Sequence, residues 1–275
     1  MKTILPCLLV IAVFLPVSLK AQMKFHVGLT TGINSTIVLD KGLSEDPRFN
    51  STFSYKWAPV GMSVGMDLSP RFGIQLEAIV ANQGQIFDVV DIFEDLVGSR
   101  EIDLTYVHIP LLMKFMNGSN NKARMNFSLG PQLSILTTGI ESIQYIASTQ
   151  EIPDGLDIPD GSVDNGNGTY DVPTLPYTEL LSTAAENEVQ KFKESEVQIA
   201  GSFGFDIDIT NNLYLTTLVR INYSFTDMRN DELLKILEEG GDGAFDILGR
   251  RANVLIGLQF GVHFMIGGVP SRAGY

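Results

Sequence analysis

Ten titratable side chains share one feature: each falls on the less apolar side of a segment in which apolar and polar residues alternate. Groups of these types on one surface would suit proton transfer, an ion path or, for the histidines, metal binding. Alternate residues of a strand point the same way, so the ten are expected on one shared face. They are His26, Asp67, Glu77, His108, Lys114, Arg124, Asp206, Asp208, Arg220 and His263.

The acidic and basic members of this set are expected to neutralise one another where the shared face is enclosed. A charge in a narrow interior is costly unless it is paired and hydrogen-bonded. The residue types therefore favour a plug of ion pairs over an ion path or a proton relay. The expected pairs are Glu77 with Lys114 or Arg220, and Asp206 or Asp208 with Arg124.

The pattern of these residues does not indicate a catalytic, metal or cofactor site. The three histidines do not form an H-x-x-x-H pair, which would suit a metal. The segment 164–171 resembles a calcium loop, but positions 166 and 168 are glycine where that loop needs oxygen ligands. We therefore expect no catalytic residue, no bound metal and no cofactor, and we expect satisfied wall histidines.

The elements that must position these side chains are strands. The last segment shows the period of two best, because Val254, Ile256, Leu258, Phe260, Val262, Phe264 and Ile266 alternate with smaller or more polar residues. Seven earlier segments repeat the pattern, and each reaches the roughly nine residues that a tilted membrane strand needs. The predicted strands are residues 23–34, 57–68, 71–83, 102–116, 123–137, 197–209, 213–225 and 252–266.

Short and long connections alternate between the predicted strands. Short turns of Ser, Pro, Gly and Asn follow the second, fourth and sixth strands, whereas the other connections are about 35–56, 84–101, 138–196 and 226–251. This alternation is typical of outer-membrane barrels. The less apolar face also holds few charges, which favours a closed lumen over a solvent-facing wall. A soluble lipocalin-like barrel that binds a ligand is the alternative.

The residues thus predict an all-β fold, an eight-stranded antiparallel up-and-down transmembrane β-barrel with long acidic extracellular loops. The insert at 138–196 carries twelve acidic and two basic residues. Within the loops, 178–194 is predicted as a short acidic helix and 231–239 as a second helix that ends at Gly240-Gly241.

The first residues predict export. Lys2 precedes an apolar run at 5–19, and Ala21 ends a cleavage site, so residues 1–22 are expected to be a signal peptide and 23–275 the barrel domain. Cys7, the only cysteine, lies within that apolar run. The net charge of −13 argues against a nucleic-acid partner, because phosphate binding needs clustered cations.

Four segments resemble the PorT-like outer-membrane β-barrel family of Bacteroidota, whose fold is an eight-stranded barrel of the OmpA and OmpX type. They are Phe25–Ser35, Ile74–Gly84 with its inward Glu77, the Tyr-x-x-Ile-Pro-Leu-Leu-x-Lys run at Tyr106–Lys114, and Gly130-Pro131. The resemblance implies an integral outer-membrane protein, and some members of the family belong to a protein-secretion and gliding apparatus.

The expected function follows from the loops and from the last strand. Gln259-x-Gly261-x-x-Phe264-x-Ile266 is similar to the signal that barrel-assembly machinery recognises, so that machinery is an expected partner beside outer-membrane lipid. We expect a non-enzymatic barrel with a structural, adhesive or docking role, whose loops contact an envelope complex. An outer-membrane enzyme that modifies lipid is the alternative.

Overall fold

The computed structural model describes residues 23–57, 59–91, 93–117, 122–152, 158–174, 178–179, 183–184, 189–238 and 250–266. The predicted signal peptide lies outside the described residues. Across those ranges, no helix combines the length and the apolar character needed to cross a membrane.

Two helices and sixteen strands form in the described residues. The helices are α1 (Lys41–Glu45) and α2 (Asp231–Glu238). The strands are β1 (Lys24–Asp40), β2 (Phe49–Thr52), β3 (Tyr55–Trp57), β4 (Val60–Ser69), β5 (Phe72–Val90), β6 (Leu96–Met116), β7 (Ala123–Tyr145), β8 (Ser148–Glu151), β9 (Val163–Asp164), β10 (Thr169–Val172), β11 (Thr178–Glu179), β12 (Thr183–Ala184), β13 (Val189–Gln190), β14 (Ser195–Asp208), β15 (Leu213–Ser224) and β16 (Arg251–Ile266).

Eight long strands close into a barrel. Their order around the ring is β1, β4, β5, β6, β7, β14, β15 and β16, and each neighbouring pair is antiparallel. The ring closes between the first and last strands, from the pair Phe25 and Ile266 to the pair Asp40 and Arg251. This confirms the predicted up-and-down topology. A closed ring has no open edge within a bilayer, which is the condition for a strand-built membrane protein.

The two faces of the barrel differ in the way that the alternation predicts. On β16, the side chains of Leu258, Phe260 and Val262 point outward and are exposed. Gln259 and His263, on the opposite face of the same strand, are buried. The same outward apolar face continues around the ring. A soluble barrel would bury its bulky apolar side chains inside, so the lipocalin-like alternative is wrong. The exposed apolar wall instead matches the lipid-facing band of a membrane barrel.

Aromatic side chains mark the lower and upper limits of this band. The lower ring lies near the short turns and includes Phe72 and Phe115, whose ring centroids are 5.4 Å apart. Tyr223 near the end of β15 and Phe225 just after it mark the upper limit. Tyr223 pairs with Val254, which lies ten positions before Phe264. Ten residues of a strand tilted by about 40° rise roughly 25 Å, the height of an outer-membrane apolar band.

Above the band, three strands continue beyond their predicted ends. β5 runs to Val90, β6 begins at Leu96 and β7 ends at Tyr145, so the predicted loop at 84–101 is instead an extended hairpin. The alternation had not ended there, since inward-facing Gln83, Gln85 and Phe87 continue it. The predicted strand ended at residue 83, whereas Gly84 lies inside β5, where glycine often marks a bulge or a close approach.

Gly84 instead allows a close approach between two strands. Its φ is +144°, and a Cβ added there would lie 1.8 Å from the carbonyl oxygen of Ile102. Only glycine tolerates both the dihedral angle and the contact. The ladder between β5 and β6 therefore passes this point without interruption, from the lipid band into the part above it.

The acidic insert differs from its prediction. β11, β12 and β13 lie within 178–194, so the helix predicted there is wrong for those residues. Strands β8, β10 and β9 form a separate three-stranded sheet that includes the segment considered as a calcium loop. The helix predicted from Asp231 is confirmed as α2, and its last predicted residue, Glu239, lies outside the described residues.

Candidate functional site

The lower lumen holds a charged cluster centred on Asp206 of β14. One oxygen of its carboxylate lies 2.8 Å from Lys114 Nζ and 3.7 Å from Arg124 Nη2. Asn126 donates to the same carboxylate at 2.7 Å, and the Thr216 hydroxyl does so at 2.9 Å. The predicted contact between Arg124 and Asp206 is confirmed, although the nearest cation is Lys114.

Arg124 also contacts Asp208 at 3.7 Å, nearer the short turns. The second predicted pair lies higher in the lumen, where the Arg220 guanidinium reaches Glu77 at 2.5 Å. Gln75 donates to the other Glu77 oxygen at 2.5 Å. Asp206 and Glu77 are buried and all three acids are paired, so the plug of ion pairs predicted from the residue types is present.

The three histidines lie in the lumen but do not share one site. His26 and His263 both contact Tyr214, which stacks on His263 at a centroid distance of 4.7 Å. His108 lies apart, with Nδ1 2.8 Å from the Ser134 hydroxyl. In the described ranges, no group of three or more His, Cys, Asp or Glu side chains is arranged to hold a metal.

One motif escaped the sequence analysis. The run Gly61-Met62-Ser63-Val64-Gly65 matches the motif G-x-S-x-G, which contains the nucleophilic serine in some hydrolases. That motif requires a sharp turn from a strand into a helix, whereas Ser63 lies inside β4. The Ser63 hydroxyl is 3.4 Å from His263 Nδ1, and the neighbouring His26 is 3.8 Å from Asp67. These side chains form a buried wall.

The space beside these groups is too small for a substrate. The lumen cavity lined by Glu77, Lys114 and His263 measures about 10 Å³. That volume holds a single water molecule. An eight-stranded barrel is just wide enough for its own side chains to fill it, and here they do so.

A hydrogen-bonded layer lies above the lower clusters. The Tyr106 hydroxyl donates to the Glu196 carboxylate. Asn253 donates to Glu196 at 2.9 Å and to the Tyr106 oxygen at 3.2 Å. Sequence analysis named Tyr106 only as part of the family resemblance. It did not single out Glu196, which falls just before a predicted strand, or Asn253, which is neutral.

An apolar core closes the barrel above this layer. Strand residues Val38, Ile102 and Leu104 pack there with Phe192 from the insert and with Met228 from the last long connection. All of these side chains are buried. The long connections therefore fold inward and seal the mouth, which the sequence did not predict.

A buried ion cluster ties the insert to the barrel beside this core. The Glu141 carboxylate of β7 receives Arg100 Nε at 2.6 Å, Lys191 Nζ at 2.5 Å and Arg251 Nη1 at 3.3 Å. The Arg251 guanidinium also contacts Asp40. Four of these residues lie in predicted loops and Arg251 lies one position before a predicted strand, so the sequence analysis missed the cluster.

The environment of Glu141 sets its ionisation. Complete burial tends to raise its pKa, but the positive charges of Arg100, Arg251 and Lys191 outweigh this effect. The net result is a pKa below the ordinary glutamate value. Glu141 therefore stays ionised and holds three cations from β6, β16 and the insert together.

The extended hairpin of β5 and β6 ends in exposed apolar side chains. Phe93 is 70% exposed and Leu96 is 54% exposed. The turn between them is ordered by Asp91, whose carboxylate accepts from the amides of Phe93 at 2.8 Å and Asp95 at 2.9 Å. These side chains lie above the lipid band, so lipid does not cover them. An apolar tip held on a rigid hairpin is suited to contact with another macromolecule.

Comparison with known proteins agrees with this architecture. The outer membrane protein beta-barrel domain family matches residues 20–230. Solved structures with similarity include OprG from Pseudomonas aeruginosa, at 13% identity over 90% of this chain and 97% of that one, with a TM-score of 0.41. The protease OmpT from Escherichia coli has 9% identity over 91% and 99%, also with a TM-score of 0.41.

Neisserial surface protein A has 9% identity over 87% of this chain and 96% of its own, with a TM-score of 0.38. A search of curated proteins gives no match. The family match covers most of the chain, including seven of the eight barrel strands. The chain therefore belongs to the outer membrane protein β-barrel domain family and resides in the outer membrane.

Proposed function

We propose that this protein is a non-enzymatic docking protein that binds an envelope or cell-surface protein through the tip of its extended hairpin. The observation that carries the proposal is the pair Phe93 and Leu96, which stand exposed above the lipid band on a hairpin continuous with the barrel wall. Neighbouring exposed apolar side chains that lipid does not cover are a common feature of protein–protein contact sites.

The rigidity of the hairpin supports the same proposal. Phe87 and Val97 are buried on its inner side, and Phe49 packs against Val97 and the Ile143 side chain of β7. A tip that is already ordered loses little conformational entropy on binding. The same side chains on a flexible loop would make a weaker site.

The charge near the tip indicates the chemistry of the partner. Asp91, Glu94 and Asp95 surround the two apolar side chains, and Arg and Lys are absent from the segment 91–98. An acidic rim around an apolar centre is complementary to a partner with a basic rim. A docking role within a secretion or other envelope complex would also fit the resemblance to the PorT-like family.

The filled lumen supports a role outside the barrel. The lumen cavity beside Glu77, Lys114 and His263 measures about 10 Å³, which is too small for a solute or a lipid substrate. The Ser63 and His263 pair lies inside this lumen. A role on the outer surface is therefore favoured over transport through the barrel or catalysis within its lumen.

Crosslinking on intact cells tests the proposal. Photocrosslinking from position 95 should yield one dominant protein adduct, and F93S with L96S should reduce that adduct at least tenfold. V163S is the matched control, since Val163 is also exposed and apolar but lies on β9. An adduct that survives F93S with L96S, or that is lost equally in V163S, would contradict docking through the tip.

A further inference from the structure

An apolar groove opens on the lipid-facing wall of the barrel. It has a volume of about 360 Å³ and lies across β1, β14, β15 and β16. Phe260 pairs with Thr31 on one side and with Thr217 on the other, so two short side chains flank a long one. The groove suits an apolar ligand. The apolar side chains that line it include those of Leu29, Ile207, Leu215, Phe260 and Val262.

The groove runs obliquely across the wall. Ile207 lies one position before Asp208, the last residue of β14, whereas Leu29 lies five positions after Lys24, the first residue of β1. Both of these strand ends are on the side of the barrel that carries the short turns. The groove therefore starts beside the short turns and climbs away from them. One row of paired residues follows it, in the order Ile207, Leu215, Val262 and Leu29.

The height of the groove matches one leaflet of a bilayer. Thr31, at its upper end, lies seven positions after Lys24, whereas Ile207 lies one position from the end of its own strand. This difference of six residues corresponds to a rise of roughly 15 Å on a strand tilted by about 40°. The hydrocarbon core of a bilayer is about 30 Å thick, so the groove spans about half of it. Because the short turns face the periplasm, this half is the periplasmic leaflet.

A cation lies at the lower end of the groove. The Lys122 carbonyl accepts a hydrogen bond from the Asp208 amide at 2.7 Å, which places Lys122 next to Ile207. Lys122 is exposed, and no ion pair with it forms among the residues that the structure describes. The nearby Asp208 carboxylate contacts Arg124 at 3.7 Å. An exposed lysine at this depth is suited to the phosphate of a lipid headgroup.

The turn below the groove carries no negative charge. Residues 209–213 read Ile-Thr-Asn-Asn-Leu, and Thr210, Asn211 and Asn212 are exposed. The lower end of the groove thus combines a cation with neutral polar groups, although the chain as a whole has a net charge of −13. This local charge is complementary to an anionic headgroup rather than to a cationic one.

We propose that the groove binds one acyl chain of a phospholipid from the periplasmic leaflet. The chain follows the row from Ile207 to Leu29 and ends beside Thr31, and the lipid phosphate lies at Lys122. An anionic headgroup gains most from this cation. The site lies on the lipid-facing wall and is independent of the hairpin tip, so either proposal can fail without the other.

Native mass spectrometry on the folded protein in detergent tests this proposal. The probes are dimyristoyl phosphatidylglycerol and dihexanoyl phosphatidylglycerol, which share a headgroup and differ in chain length. The dimyristoyl lipid should bind with one-to-one stoichiometry. The dihexanoyl lipid should bind at least tenfold more weakly, because its short chains bury fewer methylene groups in the groove.

Two sets of variants separate the headgroup from the acyl chain. K122Q should weaken the dimyristoyl lipid roughly fivefold, as expected for one cation near a membrane surface. R71Q is its control, because Arg71 is exposed at a different short turn. T31L with T217L places two larger side chains in the groove and should weaken the dimyristoyl lipid at least tenfold. A78L is the matched control, because Ala78 is a small exposed residue of β5 that does not line the groove.

Heat-modifiable gel migration confirms that each variant is folded. Unchanged binding by T31L with T217L, an equal loss in A78L, or equal binding of the two lipids would overturn the acyl site. Binding by K122Q that equals that of the wild type would overturn the headgroup site. A protein dimer without bound lipid would show that a second copy fills the groove, and it would also overturn the proposal.

Discussion

The Arg220 guanidinium and the Glu77 carboxylate meet across the full width of the barrel, 2.5 Å apart, although 143 positions separate them in sequence. Glu77 belongs to β5 and Arg220 to β15, which stand opposite each other in the ring of eight strands. A contact between opposite walls requires that the lumen be narrow and closed. The ion pair can therefore form only when the eight strands have closed into the barrel.

Substituting one partner of this pair should destabilise the protein more than replacing both partners by apolar residues. E77Q leaves the Arg220 charge buried and uncompensated, and we expect it to lower the free energy of unfolding by about 3–5 kcal/mol. E77L with R220M replaces both partners by apolar groups and should cost less than either single change. Urea unfolding from lipid vesicles compares the wild type, E77Q and the double variant. A double variant that is no more stable than E77Q would contradict the assignment.

Glu141 should make stability depend on acid pH. Its pKa in the folded protein is lowered, since the cations that surround it outweigh its burial. Ionised Glu141 therefore contributes its full stabilisation above the unfolded pKa of about 4.3, and this contribution is lost as pH falls through the lower folded pKa. E141Q should be less stable than the wild type at pH 7.

The difference in stability between the wild type and E141Q should shrink as the pH falls below about 4.3. The rate of proteolysis in residues 146–194, the part of the insert between β7 and β14, reports how firmly this part is held, since Lys191 pairs with Glu141. At pH 7 the E141Q insert should be cleaved faster. A difference that stays constant from pH 7 to pH 3 would show that Glu141 does not titrate as proposed.

Gly84 should not tolerate a side chain. G84A places a Cβ 1.8 Å from the Ile102 carbonyl oxygen at a φ of +144°, and we expect a loss of at least about 2 kcal/mol. G201A is the matched control, because its nearest atom would be 3.6 Å away. Unfolding in urea compares the two. Equal stability of G84A and G201A would contradict the close approach of β5 and β6.

Much of the barrel was predictable from the sequence because its rules are local. The alternation of Leu258, Gln259 and Phe260 fixes which side faces lipid, and the short turns fix the hairpin order. A pairing of Glu77 with Lys114 or Arg220 was predicted from the cost of an unpaired charge in a closed space, and the structure shows the pair with Arg220. None of these steps needed contacts between distant segments to be known in advance.

The upper part was not predictable by the same rules. Phe192 and Lys191 lie in the segment predicted as a short acidic helix, and only the fold brings them beside Leu104 and Glu141. The helix predicted over 178–194 is wrong at Thr178 and Glu179, because these residues pair with β7 and this pairing outweighs their local preference. Contacts that join a loop to a distant strand leave no periodic signal in the sequence.

The orientation of the wall is tested most directly by single cysteines at two neighbouring positions of β16. Leu258 is 43% exposed on the outer face, and Gln259 is 5% exposed in the lumen. In vesicles with brominated lipid chains, a bimane label at L258C should be strongly quenched by the lipid, whereas Q259C should resist labelling in the folded protein. Ready labelling of Q259C by an aqueous reagent, together with an L258C label that lipid does not quench, would contradict the lipid-facing barrel.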